Sequence, residues 1–303
     1  MRSDRYIREW KRGLPIYAMI LPGFLFFLIF KYVPMAGLVI AFQEFDPFAG
    51  VVHSPWVGFE HFHRLFTDPD FWTLFRNTLI LSGLNLLFFF PAPIVVAVLL
   101  NEVGRAWFRR SAQTILYMPH FLSWVIVVTM TLLLFGTQDG GINNFLEEHG
   151  FNRIELLTDP SHLRPLYLMQ NIWKEAGWNA IIFLASLAAV DPTLYEAAVA
   201  DGAGRWRQMW HITLPALKST IVILFILRLG HVMEIGFEHI LLLQNPINLD
   251  VSNVFDTYVY HVGIAQGQFS YTTAVGIFKS VIALILIIIA NRLAKSLGEE
   301  GAY

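Results

Sequence analysis

The 303-residue chain contains no cysteine, which excludes disulfide frameworks, thiolate metal sites and cysteine nucleophiles. Charged residues are also scarce, at 15% of the chain, and a formal net charge of −2 gives no sign of a surface that binds nucleic acid. Hydrophobic residues instead make up 55% of the chain, and the mean hydropathy is +0.53. This balance is too apolar for a soluble domain of this length, so the composition predicts an integral membrane protein.

Six long apolar segments follow one another along the chain, at about 14–42, 74–100, 113–135, 167–190, 216–237 and 272–292. Each is near or above the roughly 20 residues that a helix needs to cross about 30 Å of hydrocarbon. Lys31 and Pro34 interrupt the first segment, which is too long for a signal peptide and is followed by no small-residue cleavage site. We therefore expect an all-α polytopic protein with six transmembrane helices over 14–293, between tails at 1–13 and 294–303.

Basic residues are concentrated in alternate connections between these segments. The N-terminal tail and the loops after the second and fourth segments carry most of the Lys and Arg, whereas the long loop 238–271 has none. By the positive-inside rule, both termini and the connection 191–215 are predicted to be cytoplasmic. The long outer segments, such as 45–75 and 136–165, mix aromatic, glycine, proline and acidic residues, which suits short interfacial helices and a docking surface.

The connection 191–215 has a readable local structure. Asp191 can cap a helix that begins at Pro192, because the first turn does not need the missing N–H of proline. Gly202 and Gly204 can supply the left-handed turn that ends this helix, and Pro215 can start the fifth span. One face of the helix carries Leu194, Ala197, Ala198 and Asp201. Small side chains on that face would let another protein approach the backbone closely.

The same connection carries a spaced motif, Glu-Ala-Ala, three residues, Gly, nine residues, Ile-x-Leu-Pro. Its fixed positions are Glu196, Ala197, Ala198, Gly202, Ile212, Leu214 and Pro215. With ordinary residue frequencies, such a match arises by chance with odds on the order of one in a million in a chain of this length. The motif resembles the EAA loop of binding-protein-dependent ABC importer permeases, which implies the type I ABC importer permease fold.

In that family the loop forms a coupling helix, which sits in a groove of a cytoplasmic ATPase subunit and passes its closure to the membrane helices. The resemblance implies that Glu196 is a polar anchor, that Ala197 and Ala198 form the contact face, and that Gly202 forms the turn. Asp201, on the same face as the alanines, is also expected to take part in the coupling. The chain has no Gly-x-x-x-x-Gly-Lys-Ser/Thr phosphate loop. We therefore expect no cofactor and no catalytic residue in this chain, with ATP and Mg bound by a partner ATPase.

Further stretches look like the branch of sugar permeases that handles oligosaccharides and polysaccharide fragments. They are Pro-Trp-Val-Gly-Phe-Glu-His-Phe at 55–62, Asn-Thr-Leu at 77–79, Phe-Pro-Ala-Pro at 90–93, Leu-Leu-Asn-Glu-Val at 99–103 and Asp-Thr-Tyr-Val-Tyr at 256–260. The resemblance implies a location in the bacterial inner membrane and four kinds of partner. These are a second permease subunit in a heterodimer, two copies of an ATPase subunit, an extracytoplasmic solute-binding protein and membrane lipid, with no nucleic acid.

Polar residues are expensive inside a membrane span, and they usually face a cavity or a partner helix. The fourth span carries Asn171, Lys174, Glu175, Trp178 and Asn179, and the fifth carries Arg228, His231, Glu234 and Glu238. Their helical spacing predicts one polar stripe on each span. The resemblance places most of them at or beside the sugar contacts of maltose-type permeases. Two interpretations stay open: a substrate pathway, or charges that pair with each other or with the second permease.

Other functions fit the sequence less well. A proton- or ion-coupled secondary transporter could use the charged stripes as a relay, but no inverted repeat is detectable. An intramembrane enzyme using His231 and Glu234 would lack a nucleophile or a metal motif. His61 and His63 have no obvious third ligand, so we interpret them as surface residues and predict no metal site. The sequence favours a transport subunit that depends on a separate ATPase.

Overall fold

The computed structural model describes residues 2–296 and Gly298, with the side chains of residues 14–296. Within these residues the regular secondary structure is helical, apart from one isolated β-bridge between Gln43 and Trp56. The first helix begins at Arg2, inside the expected tail 1–13. Of the expected tail 294–303, residue 297 and residues 299–303 lie outside the described residues.

The described helices vary widely in length. From the N-terminus they are α1 Arg2–Phe27, α2 Val33–Met35, α3 Gly50–His53, α4 Glu60–Thr67, α5 Phe71–Leu84, α6 Pro91–Asn101, α7 Ala106–Tyr117, α8 Trp124–Phe135 and α9 Gly141–Glu148. They continue with α10 Pro160–Ala188, α11 Pro192–Ala200, α12 Arg205–Gln208, α13 Leu214–Gly230, α14 Phe237–Leu243, α15 Leu249–Ser252, α16 Phe255–Tyr258 and α17 Phe269–Ser296. Shorter π-helical turns lie at Leu28–Tyr32, Asn85–Phe89, Met209–Thr213 and Val259–Ala265, and 3₁₀ turns at Ala36–Phe42 and Met118–Phe121.

Four helical stretches are long and apolar enough to cross a membrane, namely Leu14–Phe42, Phe71–Asn101, Arg205–Gly230 and Phe269–Ser296. Two bent pairs complete the set if each is one span, namely Ala106–Phe121 with Trp124–Phe135, and Pro160–Ala188 with Pro192–Ala200. The all-α architecture is therefore confirmed, with four to six apolar crossings on length and composition. Lys31 and Pro34 do not break the first stretch, which passes from α-helix through a π-turn to a 3₁₀ turn.

The third span differs from its prediction as one continuous helix. α7 and α8 meet at a bend of 95°. Pro119 lies in the 3₁₀ turn between them, where its missing N–H removes a helical hydrogen bond. Ser123 then starts α8 as a new helix, because its side chain accepts the N–H of Ile126 at 3.3 Å.

The fifth span is displaced towards the N-terminus relative to its prediction at 216–237. Its helical run begins at Arg205 instead of Pro215 and passes through the π-turn Met209–Thr213. Proline cannot donate a helical hydrogen bond and its ring crowds the preceding turn, and a wider turn just before Pro215 accommodates both effects. Pro215 therefore lies inside the span.

The fifth span also ends earlier than predicted, at Gly230. Gly236 has a φ of 93°, a left-handed value that turns the backbone before α14 begins. The prediction that Arg228, His231, Glu234 and Glu238 share one helix face is therefore wrong. Arg228 lies in α13 and Glu238 in α14, while His231 and Glu234 lie in the turn between these helices.

The chain forms two compact units, one with residues up to Asp68 and Val262–Ile277, the other with Pro69–His261 and the residues from Phe278. In the first unit, the span Leu14–Phe42 exposes nearly all its side chains, as expected for a helix meant for lipid or another subunit. In the second unit, one apolar cluster contains Leu81, Val128, Leu163, Leu166, Tyr167, Ile235, Ile240, Leu243 and Val254. Another contains Ala97, Val98, Ala180, Phe183, Leu187 and Leu217. Because α10 contributes to both clusters, it is the central helix of this unit.

Candidate functional site

The coupling segment, residues 191–215, begins with the predicted short helix. Oδ1 of Asp191 accepts the backbone N–H of Thr193 at 2.9 Å, and this hydrogen bond lowers the pKa of the Asp191 carboxyl. Gly202 ends the helix with a φ of 74°, which confirms the predicted left-handed turn. Gly204 does not take part in that turn, because its φ of −70° is extended backbone that caps α12.

Most side chains of α11 are exposed. Glu196, Ala197 and Asp201 are exposed, and Ala198 is half-buried. Two apolar side chains of the same helix, Leu194 and Val199, are 52% and 63% exposed. A nine-residue helix that buries so little of itself is only marginally stabilised by its own chain, so its surface is suited to contact with another protein.

The second half of the motif attaches this exposed helix to the body of the second unit. The Tyr195 hydroxyl lies 3.1 Å from Oγ1 of Thr213, which is fully buried. Ile212 is half-buried, and Leu214 packs against the cluster that contains Leu187 and Leu217. Pro215 is exposed. The hydroxyl of Tyr195 therefore links α11 to the residue just before α13, and Leu214 links the start of α13 to α10.

A closed polar network surrounds two of the predicted residues of α10. Lys174 is buried, and its Nζ donates to Oε1 of Glu175 at 2.6 Å and to the carbonyl of His120 at 3.0 Å. Oε2 of Glu175 lies 2.7 Å from Nδ1 of His120. Both charges therefore have partners within the chain. Sequence reasoning missed His120, because no local pattern connects it to residues 54 positions away.

Asn171 also has its partners inside the protein. It is buried and donates to Oδ1 of Asn85 at 2.9 Å. Asn85 donates in turn to the hydroxyl of Tyr167 at 2.9 Å, and this hydroxyl donates to the carbonyl of Ile235 at 2.5 Å. Asn171 thus belongs to a chain of hydrogen bonds that fixes the turn carrying His231 and Glu234.

A cavity of about 650 Å³ opens between α6, α10 and α13. Its walls are largely apolar, and its lining is Phe89, Phe90, Pro93, Trp178, Asn179, Ile181, Ile182, Phe183, Ala185, Leu224, Leu227, Arg228 and His231. The ring of Trp178 stacks on His120, with 4.4 Å between centroids and 2° between planes. The Arg228 guanidinium lies 5.4 Å from the centre of the Phe89 ring. Among the described residues, no carboxylate forms an ion pair with Arg228.

The structure therefore brings Trp178, Arg228 and His231 together at one cavity. Glu234 lies beside them, with Oε2 at 2.9 Å from Nδ1 of His231, and lines a small adjacent pocket with Arg228. Asn171, Lys174 and Glu175 do not line the cavity. Phe89, a residue that the sequence did not single out, is among the cavity residues.

The turn that carries His231 and Glu234 is held from several helices. Oδ2 of Asp256 accepts the N–H of Ile235 at 3.1 Å, and the same carboxylate pairs with Lys279 of α17. The Ser82 hydroxyl donates to the carbonyl of Val232. Unwound backbone inside an apolar protein needs such partners because its own N–H and C=O groups lack helical ones.

His61 is not the surface residue that the sequence suggested. It is buried, and its Nε2 lies 3.0 Å from the carbonyl of Gln43. His63 is exposed. Within the part of the chain that the structure describes, no three His, Asp or Glu side chains are grouped so that they could hold a metal ion.

Comparisons with known proteins agree with this architecture. Residues 90–299 match the family described as binding-protein-dependent transport system inner membrane component. The chain is 57% identical over 288 residues to the polygalacturonan/rhamnogalacturonan transport system permease protein YteP of Bacillus subtilis (strain 168), covering 95% of this chain and 90% of YteP.

Two solved structures are similar over almost their whole length. One is a chain of a bacterial alginate ABC transporter in complex with an alginate pentasaccharide-bound periplasmic protein, at 41% identity and a TM-score of 0.87, covering 97% of this chain and 98% of that one. The other belongs to a bacterial ABC transporter involved in the import of the acidic polysaccharide alginate, at 42% identity and a TM-score of 0.87, covering 96% and 99%.

The family match covers more than half of the chain, and the similarity to YteP extends over nearly all of it. Members of the family are transport subunits of the inner membrane, not enzymes, and they work with a binding protein, a second permease and a separate ATPase chain. The chain therefore belongs to the binding-protein-dependent transport system inner membrane components, and it is a permease subunit of an ATP-binding-cassette importer.

Proposed function

We propose that this permease imports an acidic oligosaccharide, and that Trp178 and Arg228 contact the sugar as it passes. The observation that carries the proposal is the cavity that holds both side chains. Its volume of about 650 Å³ falls in the range of about 300–1,000 Å³ that is usual for ligand cavities. Cavities of this kind combine apolar walls with a few polar groups that set orientation and specificity.

The two side chains suit a sugar acid chemically. One face of the Trp178 indole is covered by His120, which leaves the other face for the C–H surface of a sugar ring. Arg228 presents a planar fork of N–H donors that matches the two oxygens of a carboxylate. Since Arg228 forms no ion pair among the described residues, a uronate carboxylate would supply the missing negative charge.

The comparisons support this substrate class. The transport systems of the relative and of the solved structures are described as handling polygalacturonan/rhamnogalacturonan or the acidic polysaccharide alginate. A cationic side chain in a largely apolar cavity is the feature of this chain that would distinguish an acidic from a neutral saccharide.

The remaining predicted pathway residues would act through these contacts. Lys174 and Glu175 hold His120, and His120 orients the Trp178 ring. Asn171 supports the turn of His231 and Glu234 through its hydrogen-bond chain. These roles combine the two interpretations of the polar stripes. The charges would pair with each other, and this pairing would position the residues that contact the sugar.

On the inner side, the exposed helix α11 would lie in a groove of the ATPase subunit. Glu196 would anchor it, Ala197 and Ala198 would allow close contact, and Asp201 and Gly202 would form its end. Two copies of the ATPase would bind ATP and Mg²⁺, and their closure would move α11. The attachment of Leu214 and Tyr195 to the helix bundle would pass this motion to the cavity, which opens to alternate sides of the membrane.

Uptake of matched saccharides tests the substrate class. The complete transporter, in proteoliposomes with its binding protein, is given an oligogalacturonide and a neutral galactose oligosaccharide of equal length. We expect ATP-driven uptake of the acidic one, and Arg228→Ala should reduce it about tenfold or more, the scale of a lost charge-assisted hydrogen bond. Leu227→Ala, at an apolar position of the same cavity, is the control. Preference for the neutral sugar, or unchanged acidic uptake in Arg228→Ala, would contradict the proposal.

A further inference from the structure

The turn 231–235, between α13 and α14, carries two exposed polar side chains on a buried apolar base. Val232, Met233 and Ile235 are buried, whereas His231 and Glu234 are exposed. The two polar side chains contact each other, with Nδ1 of His231 at 2.9 Å from Oε2 of Glu234. The apolar residues of the turn are therefore part of the core, and the polar pair lies outside it.

The backbone on both sides of Glu234 is fixed by three other elements. The Ser82 hydroxyl of α5 donates to the carbonyl of Val232, and the Tyr167 hydroxyl of α10 donates to the carbonyl of Ile235. Asp256 of α16 accepts the N–H of Ile235 at 3.1 Å. A carboxylate on a backbone held in this way has a defined position, so it loses little conformational entropy when it interacts with a charge.

A second, much smaller pocket adjoins the cavity. It has a volume of about 10 Å³, and its lining is Ser82, Asn85, Leu86, Arg228, His231, Val232 and Glu234. This volume is too small for a sugar ring and is of the size of about one water molecule. Arg228 and His231 line both the pocket and the cavity. Glu234 therefore lies behind the part of the cavity wall that carries Arg228.

Opposite charges remain available at this small pocket. The side chains of Ser82 and Asn85 are already bonded within the chain. Arg228 forms no ion pair among the described residues, and no described residue donates a hydrogen bond to Oε1 of Glu234. The guanidinium and the carboxylate thus line one pocket, and each has unused hydrogen-bonding capacity.

This arrangement affects how tightly the cavity can hold an anion. Opposite charges attract each other even across a bridging water molecule, so Glu234 partly neutralises Arg228 while the cavity is empty. A sugar carboxylate that reaches Arg228 from the cavity must compete with Glu234, and two carboxylates that share one site destabilise each other. The sugar is therefore held less tightly than it would be by an isolated arginine. A transport pathway needs such a balance, because binding must permit both entry and exit.

We propose that Glu234 is an internal counter-ion of Arg228, which competes with the carboxylate of an acidic saccharide and thereby speeds the release of this saccharide from the cavity. The inference rests on the proposed function, in which Arg228 contacts the sugar. Glu234 is then a specificity-determining residue, because a neutral saccharide does not compete for the guanidinium. His231 positions the Glu234 carboxylate through their hydrogen bond.

Binding of labelled trigalacturonate and of labelled, neutral galactotriose to the complete transporter in nanodiscs tests the proposal. Glu234→Gln removes the charge and keeps an acceptor for Nδ1 of His231. We expect it to lower Kd for trigalacturonate about three- to fivefold, the scale of one interaction between partly exposed charges, and to slow dissociation by a similar factor. Kd for galactotriose should stay unchanged. Glu238→Gln, at an exposed carboxylate that lines neither pocket, is the control and should change neither Kd.

A double variant separates competition at Arg228 from direct repulsion of the sugar. In the Arg228→Ala background, Glu234→Gln should change Kd for trigalacturonate by less than about twofold, because the group for which both carboxylates compete is gone. An equal gain of affinity in both backgrounds would show that Glu234 repels the sugar directly, and the counter-ion inference would be wrong.

The remaining outcomes separate this inference from the proposed function. If the wild-type transporter does not prefer trigalacturonate to galactotriose, or if Arg228→Ala leaves trigalacturonate binding unchanged, the proposed sugar contact fails and the inference fails with it. If both of these results are as expected but Glu234→Gln binds trigalacturonate no more tightly than wild type, only the counter-ion inference is wrong. Glu234 is exposed, so its replacement should not impair assembly, and ATPase activity of the variant transporter verifies this.

Discussion

The coupling segment and the cavity differ in how far apart in sequence their contacting residues lie. In the coupling segment, Asp191 caps a helix through Thr193, and the most distant hydrogen bond joins Tyr195 to Thr213. Around the cavity, His120 meets Trp178 across 58 positions, and the hydroxyl of Tyr167 meets the carbonyl of Ile235 across 68. The first site is formed by local backbone preferences, and the second only by tertiary packing.

The two regions also differ in whether their side chains have interaction partners within the chain. The coupling helix leaves Glu196 and Leu194 exposed, and the proposed ATPase contact would supply the interactions that they lack. Around the cavity, Lys174 and Glu175 are already paired, and the side chain without a counter-ion among the described residues is Arg228. Substitutions in the coupling segment should therefore affect function without affecting the fold, whereas substitutions around the cavity should affect both.

The largest expected effect is in the coupling segment. Glu196→Lys and Gly202→Asp should abolish transport while the protein remains in the membrane at normal levels, because both side chains are changed at an exposed surface. A side chain at Gly202 meets nothing within 4 Å in this chain, but its φ of 74° adds backbone strain to any substitution. Gly58→Asp, at another glycine with open space and a φ of 63°, is therefore the matched control, and a loss specific to Gly202→Asp would arise at the ATPase contact. Wild-type uptake by either coupling variant in whole cells would refute the coupling role.

A smaller but still large effect is expected where the turn of His231 and Glu234 is held. Lys279→Met should leave Asp256 as an unpaired, largely buried charge, at a cost of about 3–5 kcal/mol. The double variant Asp256→Asn with Lys279→Met should recover most of the thermal stability, because it removes the charge and keeps an acceptor for the Ile235 N–H. Thermal unfolding of the purified transporter measures both. Lys295→Met, at an exposed lysine of the same helix, is the control.

The ion pair would not be the cause of stability if the single and double variants unfolded at the same temperature. In that case the helix packing of α16 and α17 alone would hold the turn. If the double variant were stable but inactive, the charge itself would matter for transport, and the contrast between a satisfied cavity wall and a functional coupling surface would be weaker than we describe.

The difference between the two regions explains what the sequence could reveal. The cap at Asp191, the turn at Gly202 and the apolar, all-helical character of the chain depend on neighbouring residues, and they are confirmed. The end of the fifth span at Gly230 was missed, although Gly230 and Gly236 were an available signal for a break. Gly204 was predicted to belong to the turn that ends α11, but it lies in extended backbone that caps α12. This difference depends on where α12 begins.

Other features had no local signal at all. Nothing near His120 in the sequence indicates that its ring stacks on Trp178 or that it pairs with Glu175. Lys279 inside a predicted span and Asp256 in the loop before it can each be noticed, but their pairing requires the packed helices. Composition and periodicity therefore identify the charged residues that cost free energy inside a membrane. Only the packed fold determines which of them have a hydrogen-bond or ion-pair partner within the chain.

The smallest expected effect is at the cap of the coupling helix. Asp191→Ala removes the acceptor for the Thr193 N–H and should destabilise α11 by about 1 kcal/mol, while Asp191→Asn keeps an acceptor oxygen and should cost little. Hydrogen exchange of the α11 amides in the assembled transporter should show faster exchange in Asp191→Ala than in Asp191→Asn, with α13 unchanged in both. Transport should fall only a few-fold in Asp191→Ala, because the ATPase contact can reorder a frayed helix. Equal protection in the two variants would mean that the partner, and not the local cap, determines the structure of this helix.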